Sequence, residues 1–581
     1  MTKNNNEEPR IGVYICWCGS NIANLIDVHQ VAAKAKEFPH VVLSRDYKYM
    51  CSDPGQESLI TDIKQHNLDR IVVAACSPRI HEPTFRKALE QAGLNPYMLQ
   101  IANIREQDSW VHIDSEYATL KALALVKAAV NRVKYHEPLT KRFVEVNPAT
   151  LIIGGGITGL TAALEIAQAG KQVFLVERSD QLGGALADID LTYPNLESAQ
   201  QMLKPKIKQV LDHKSIEVFL NTVLSEISGY VGNFRTKVKQ EGQERELQFG
   251  NIVVATGLKP FDPKVIPGYG YGTLPDVITS LELEKKLLTA DLKTSQGSEP
   301  ENIAIIHCVG SRNDKFHPYC SRTCCNTALK YASQLRSLLP HANLYQIYAD
   351  MRAYGKGCEE FYSRTSRNKV LFLMYDQKNG LPVIEKAPQN DPSDMIITLD
   401  EKLSGETVEV PADMVVLMTA MEAREDAKEV GRLAGISLCG NDFFIEKHPK
   451  LDPVATTTDG VFIAGSCHSP KSIPESIEQA RAAAAKILAS IAMENIEVEV
   501  AVSHVNEDVC CGCQTCIMVC PYKAIRFDEE KHVSVVNEAL CKGCGTCGST
   551  CPTGAIKSLH FTDTQILSQI EGLLKTEKES I

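Results

Sequence analysis

The chain has 581 residues, a formal net charge of -11, 44% hydrophobic residues and 23% charged residues. That length exceeds what one core can serve, so several domains are expected, and the composition excludes wholesale disorder. The negative charge argues against a nucleic-acid or anionic-membrane partner, and no run of about 18 apolar residues marks a membrane span. The opening stretch MTKNNNEEPR lacks the apolar centre of a signal peptide, so a cytoplasmic location is expected. The 20 cysteines lie at close spacings in a long chain, a pattern of metal or redox chemistry rather than of a disulfide scaffold.

Residues 1–145 alternate strand-like runs (IGVYIC, HVVLS, RIVVAAC) with helix-like ones (ATLKALALVKAAVNRVKY), which predicts an α/β domain. It holds Cys16, Cys18, Cys51 and Cys76, each following a strand-like run. A second α/β domain, 146–300, opens at TLIIGGGITGLTAALEIAQAG. Gly154, Gly156 and Gly159 form G-x-G-x-x-G directly after a strand and at the start of a helix. The first glycine permits the tight turn, the second lets backbone approach a pyrophosphate, and the third lets helix and strand pack closely. QVFLVE supplies a second strand ending at Glu177, placed for ribose hydroxyls, and a glycine-rich packing turn is the plain alternative. NIVVATGLKP and TTTDGVFIAGS resemble the later FAD-contacting strands of flavoproteins with two dinucleotide-binding domains, which selects FAD over NAD. The helix expected at 472–486 would aim its N-terminus at the flavin.

Residues 301–440 resemble the NAD(P)H unit of such enzymes, yet NIAIIHCVGSR carries only Gly310 where a glycine-rich turn belongs. In its place stand Cys308, Cys320, Cys324 and Cys325, read as a non-standard [4Fe–4S] site beside the flavin, with buried free thiols or zinc as alternatives. Residues 441–500 return to the FAD domain. In 501–560 the runs CCGCQTCIMVCPYKAI and CKGCGTCGSTCPTGAI repeat cysteine for cysteine. Both follow C-x2-C-x2-C-x3-C-P, in which the fourth thiolate ligates the other repeat's cluster. One [4Fe–4S] cluster is expected on Cys510, Cys513, Cys516 and Cys551, and a second on Cys541, Cys544, Cys547 and Cys520. Cys511 falls outside the spacing and reads as a bystander. Cys358, Cys439 and Cys467 have no partner spacing. Residues 561–581 suit an amphipathic C-terminal helix.

The segments GVYICWCGSNIA, YKYMCSDPGQ, VVAACSPRIHEPTFRKALEQAGLNPY, YCSRTCCNTALKYA and VFIAGSCHSPKSIPESIEQARAAA resemble the A-type subunits of heterodisulfide reductase, iron–sulfur flavoproteins, over nearly the whole chain. The resemblance implies a thioredoxin-reductase-like two-dinucleotide-binding-domain α/β core, flanked by the N-terminal α/β domain and a bacterial-type two-cluster ferredoxin domain. It implies FAD, contacted by Gly154, Gly155, Gly156, Thr158, Gly159, Glu177, Arg178, Gly183, Gly184, Val223, Ala255, Thr256, Gly257, Gly465, Ser466, Ile473 and Pro474. Many related flavoproteins have Asp where Ser466 stands. Lys330 matches a family lysine near the flavin N5, where a cation would tune one-electron steps, and a solvated surface lysine is the alternative. The N-terminal cysteines would carry a further cluster, or else are buried thiols of an assembly domain. Relatives place another cysteine where Asp108 stands, so its carboxylate is a candidate ligand. Methanogen relatives insert a ferredoxin domain after the glycine pair matching Gly183 and Gly184, and this chain runs through that point without one.

The expected activity is that of an oxidoreductase: an FAD and iron–sulfur electron-transfer component that bifurcates or confurcates electrons between partners. Those partners would be heterodisulfide reductase B- and C-like subunits, a ferredoxin-like carrier and an electron-input subunit, with the chain dimeric inside a hetero-complex. The rivals are a stand-alone NAD(P)H-dependent disulfide reductase and a non-bifurcating relay or scaffold.

Overall fold

The computed structural model describes residues 8–240, 243–389, 391–498 and 500–574. The chain forms two compact units, one of residues up to Phe143 together with those from Glu497 onward, the other of Val144–Ile496.

In the first unit, strands β1 (Ile11–Cys16), β2 (Val41–Tyr47), β3 (Arg70–Ala75) and β4 (Leu99–Asn103) form a parallel sheet in the order β2-β1-β3-β4. The run IGVYIC is buried throughout because β1 is covered on both faces, the usual state of a central parallel strand. Alternate residues serve opposite cores. Val13, Ile15, Val72 and Ala74 meet helices α1 (Val28–Ala35) and α4 (Ser115–Val133), while Tyr14, Ile71 and Val73 meet α2 (Asp53–Gln65) and α3 (Pro78–Ala92). All four strands run the same way, so the residues that follow them gather at one sheet edge.

The second unit holds two five-stranded parallel sheets. The first comprises β5 (Thr150–Ile153), β6 (Val173–Val176), β7 (Ile216–Phe219), β8 (Asn251–Val254) and a late return strand, Val461–Ile463, that pairs with β8. Helix α5 (Ile157–Gln168) follows β5, and the long helix Ile473–Ala492 joins it in one core. The second sheet comprises β9 (Val277–Thr279), β10 (Asn302–Val309), β11 (Asn343–Tyr348), β12 (Val370–Met374) and β13 (Met414–Thr419), in the order β9-β13-β10-β11-β12. Helix α6 (Ser280–Thr289) follows β9, and α7 (Cys324–Leu338) follows β10. The Ile473–Ala492 helix is here α8. Its start is fixed by a capping box: Ser472 Oγ accepts from the Glu475 N–H while the Glu475 carboxylate accepts from the Ser472 N–H at 2.9 Å.

The chain then returns to the first unit. Two antiparallel pairs, Ser503–Val505 with Ile556–Ser558 and Ile525–Asp528 with Val533–Val536, support the short helices α9 (Thr515–Val519) and α10 (Thr546–Thr550), one per repeat. Helix α11 (Asp563–Leu574) packs along α4. A Cβ on Gly572 would come within 2.5 Å of Ala128 Cα, so glycine permits the close approach of the two helices. Arg132 donates to Gln569 at 2.9 Å and to the His560 carbonyl at 2.9 Å, and the His136 and His560 rings stack at 4.3 Å.

Candidate functional site

The turn from β5 to α5 has the form its glycines require. Gly154 adopts φ +113°, and a Cβ there would lie 2.3 Å from the Ala255 carbonyl oxygen. A Cβ on Gly159 would lie 1.9 Å from the Gly154 carbonyl oxygen. Gly156 differs, because a Cβ would meet nothing nearer than Gly184 Cα at 3.9 Å, leaving its surface open to a ligand. The Gly155 N–H donates to Glu177 at 2.6 Å, and the Gly183 N–H donates to the Gly155 carbonyl at 2.9 Å, which draws the Gly183–Gly184 loop against the turn. Glu177 also accepts from the Ser179 N–H at 2.9 Å. Beyond β8, Gly257 has φ +81° with open space on its Cβ side, and the buried Thr256 hydroxyl has no hydrogen-bond partner. Gly465 packs on Thr158, and its N–H donates to Gln479 of α8 at 3.0 Å. Open glycine surfaces, an unpartnered hydroxyl and two helix N-termini fit a dinucleotide. Arg178 is exposed and pairs with Asp426 at 3.1 Å, and the Val223 side chain is 71% exposed. Ser466 lies in the turn before α8, and Ile473 and Pro474 form its first turn.

The cysteine set of the second sheet occupies the place of a phosphate turn. Cys308 sits near the end of β10 at φ +59°, and Cys324 and Cys325 begin α7, whose free N–H groups favour anions. The three thiols form a hydrogen-bonded chain with Cys324 in the middle, which lowers the pKa values of Cys308 and Cys325 and raises that of Cys324. The fully buried His307 lies against Cys325 and hydrogen-bonds Gln346. Cys320 accepts from the Arg322 N–H at 3.3 Å and from the Arg352 side chain. Arg322 and Arg312 also have positive φ, so three non-glycine left-handed residues lie between 308 and 322, a concentration of strain usual at functional sites. The Arg322 guanidinium reaches Glu475 at 2.6 Å and the Pro470 carbonyl at 3.2 Å, tying this cysteine loop to the start of α8.

Lys330, on α7, is no surface lysine: it is 1% exposed and ion-paired with Glu284 of α6. Burial pushes its pKa down and the Glu284 charge opposes that shift. Glu284 also accepts from Tyr331 at 2.8 Å and from the Asp190 N–H at 3.0 Å, which connects Lys330 to the loop after Gly184. Cys467 is buried with its thiol 3.3 Å from the Val254 carbonyl, and burial pushes its pKa up to about 11.

In the first unit, Cys16, Cys18, Cys51 and Cys76 converge at the carboxyl edge of the parallel sheet, the edge where open α/β sheets place ligands. The Cys18 N–H donates to Cys16 Sγ at 3.4 Å, and Arg105 donates to Cys18 Sγ at 3.2 Å. Burial pushes the Cys16 and Cys51 thiols up, and that of Cys76 to about 12. Four clustered thiols are a donor set suited to iron. Arg105 escaped the sequence reading, since nothing along the chain distinguishes it from other arginines.

Asp108 is placed with His112, at 3.9 Å, and Lys121. It is 0% exposed and neither carboxylate oxygen has a hydrogen-bond partner. Burial raises its pKa from 3.8 to about 6, with Lys121 opposing. Native Asp108 therefore holds its proton to a higher pH than the unfolded chain, so native stability falls between about pH 4 and pH 6 and stays lower above. Asp108→Asn has no such proton to lose. It is expected to melt at a higher temperature than wild type at pH 8, with little difference at pH 4, and to keep its iron. Equal melting curves at pH 8 refute this.

The ferredoxin-like repeats enclose two small cavities. One is lined by Cys510, Cys511, Cys513, Cys516 and Cys551, the other by Cys520, Cys541, Cys544 and Cys547. Each cavity thus joins three thiols of one repeat to the last thiol of the other, and Cys511 lies at the first. Cys516 is 3.1 Å from Ser534 Oγ and Cys547 is 3.4 Å from Ser503 Oγ, equivalent contacts in the two halves.

Residues 148–306 match the family model for pyridine nucleotide-disulphide oxidoreductases, and 503–558 match that for a 4Fe-4S dicluster domain. These matches, with the fold, define an oxidoreductase with FAD and [4Fe–4S] clusters as cofactors, built on an α/β core of two parallel sheets with a C-terminal dicluster domain. The chain is 40% identical to the second iron-sulfur A-type subunit of the CoB–CoM heterodisulfide reductase of Methanopyrus kandleri, over 98% of this chain and 99% of that one. It is 38% identical to the A-type subunit of the H(2):CoB-CoM heterodisulfide,ferredoxin reductase of Methanothermobacter marburgensis, over 98% of each. It is 36% identical to a protein of Archaeoglobus profundus described as like the heterodisulfide reductase A-type subunit, over 98% and 99%. The chain belongs to the family of heterodisulfide reductase A-type subunits. Among solved structures, thioredoxin reductase from T. acidophilum is 14% identical and aligns over 59% of this chain and 99% of its own, with a TM-score of 0.41. Among the described residues, no helix is long and apolar enough to cross a membrane.

Proposed function

We propose that the chain is the flavin hub of a heterodisulfide-reductase-like complex, bifurcating or confurcating electrons between partner subunits and a ferredoxin-like carrier. Bound FAD supplies two-electron and one-electron chemistry in one place. The pyrophosphate is held by Gly154, Gly155, Gly156 and Gly159 with Gly183 and Gly184 above them, the ribose by Glu177, and the remainder by the Ala255–Gly257 and Gly465–Pro474 segments. Cys308, Cys320, Cys324 and Cys325 hold the cluster nearest the flavin. The observation that carries this reading is the Arg322 bridge, which joins the Cys320 loop to the start of α8 through Glu475 and Pro470. Lys330 lies on α7, the helix that Cys324 and Cys325 begin, buried and ion-paired with Glu284. Cys16, Cys18, Cys51 and Cys76 hold an outlying cluster, and the two ferredoxin-type clusters exchange electrons with a carrier. The partners are B- and C-like subunits with an electron-input subunit, and the chain works as a cytoplasmic dimer within that complex.

Anaerobic quantification tests the cofactor set: four clusters give about 16 iron atoms per FAD and three give about 12, at four irons per cluster. Incubated with NADPH alone, the isolated chain is expected not to turn over. Steady oxidation on the order of 10 per second would instead establish a stand-alone disulfide reductase. Pair splitting is tested in the native complex, where one high-potential and one low-potential acceptor are expected to be reduced in equal amounts. Reduction of the high-potential acceptor alone establishes a plain relay.

A further inference from the structure

We propose that Arg105 is a positioning residue of the N-terminal thiol site, orienting Cys18 and supplying the positive charge that sets the reduction potential of the cluster held there. This rests on the reading that Cys16, Cys18, Cys51 and Cys76 bind a cluster. Arg105 opens a single π-helical turn, Arg105–Ser109, directly after β4, and such turns recur at functional sites. The Asn103 side chain fixes the turn by accepting from the N–H groups of Arg105 at 3.2 Å and Glu106 at 3.1 Å. The guanidinium is then held on three sides. Nη1 donates to Cys18 Sγ at 3.2 Å, Nη2 donates to Glu106 at 2.6 Å, and its plane lies 4.6 Å from the Trp110 ring.

Two features set Arg105 apart from a surface staple. It is electrostatically coupled to Cys51 and Cys76 as well as Cys18, so its charge acts on thiols from three different strand ends. Its counter-ion is itself part of the site: Glu106 accepts from the Ser77 N–H at 2.9 Å, next to Cys76. The Arg105 side chain is only 19% exposed, so solvent screens this charge less than it would a surface one. Cluster potentials respond to nearby charge and to hydrogen bonds on the sulfurs, and a cation favours the added electron.

The dyad predicts opposite signs for its two members, which a purely structural role does not. In the anaerobically purified full chain, Arg105→Gln is expected to move the midpoint potential of one cluster to a more negative value, followed by potentiometric EPR. Glu106→Gln, which unmasks the arginine, is expected to move the same signal to a more positive value. If Arg105→Gln fails to retain iron, Glu106→Gln decides alone. An unchanged or negative shift in Glu106→Gln, or unchanged potentials in an iron-replete Arg105→Gln, overturns the proposal. A Cys18→Ala/Cys76→Ala double variant separates the two levels. Loss of about four irons per chain locates a cluster at these thiols, whereas unchanged iron removes both the cluster reading and the role of Arg105.

Discussion

Gly159→Ala is expected to yield protein with little or no flavin, while the ferredoxin-type domain keeps its iron. The added methyl carbon would stand 1.9 Å from the Gly154 carbonyl oxygen, 3.1 Å from its carbonyl carbon and 3.4 Å from Ile152. The first two are backbone atoms of the phosphate turn, which cannot rotate aside as a side chain can. Helix α5 must therefore retreat from β5, or the turn must open. Overpacking of this kind costs about 1–3 kcal/mol, and the displacement falls on the N–H groups that would face the pyrophosphate. The informative control is Gly156→Ala. Gly156 has φ -74°, and its Cβ position is open to 3.9 Å, so alanine fits the unliganded fold without strain. That methyl group would instead occupy the surface left for the ligand. Gly159→Ala is thus expected to lose both melting temperature and flavin, Gly156→Ala flavin alone. Absorbance near the flavin band after anaerobic desalting, with a melting curve, separates the two. Full flavin content in both variants refutes the cradle.

What the sequence disclosed and what it withheld divide along a physical line. The G-x-G-x-x-G turn and the paired C-x2-C-x2-C-x3-C-P runs are legible because their chemistry needs groups close together along the chain, so spacing alone carries the geometry. The meeting of Cys308, Cys324 and Cys325 at the start of α7 was legible for the complementary reason: the sequence has thiols where a second glycine-rich turn was expected. Partners distant in sequence left no such trace. The resemblance singles out Lys330, yet nothing in the sequence points to its partner Glu284, 46 residues earlier, which lies against it in the core. The packing of α11 on α4 joins segments more than 400 residues apart, and the apolar period of the last helix says only that one face is covered. Asp108 illustrates the limit of matching positions. Its place in the family pattern suggests a ligand, yet the local turn sets its carboxylate beside His112 and Lys121. Arg105, three residues earlier, points to the thiols instead.

Removing Cys520 is expected to damage the cluster of the other repeat. Cys520 closes the first C-x2-C-x2-C-x3-C-P run, but it lines the cavity of Cys541, Cys544 and Cys547, while Cys551 from the second run lines that of Cys510, Cys513 and Cys516. Each fourth cysteine caps the C-terminus of a short helix, Cys520 that of α9 and Cys551 that of α10, and is followed by Pro521 or Pro552, which ends the helix. Cys520→Ala therefore takes a ligand from the second cluster, with loss of about one iron if a three-iron form survives and about four if the cluster leaves. Its remaining EPR signals are expected to match those of Cys541→Ala and to differ from those of Cys510→Ala, although Cys510 is its neighbour in sequence. Combination makes the test sharper, since variants that strike one cluster are non-additive and variants that strike two add. Cys520→Ala with Cys541→Ala is expected to lose no more than one cluster, and Cys520→Ala with Cys510→Ala two. The reverse pattern would mean that each repeat holds its own cluster, and that the crossing of the fourth ligand is wrong.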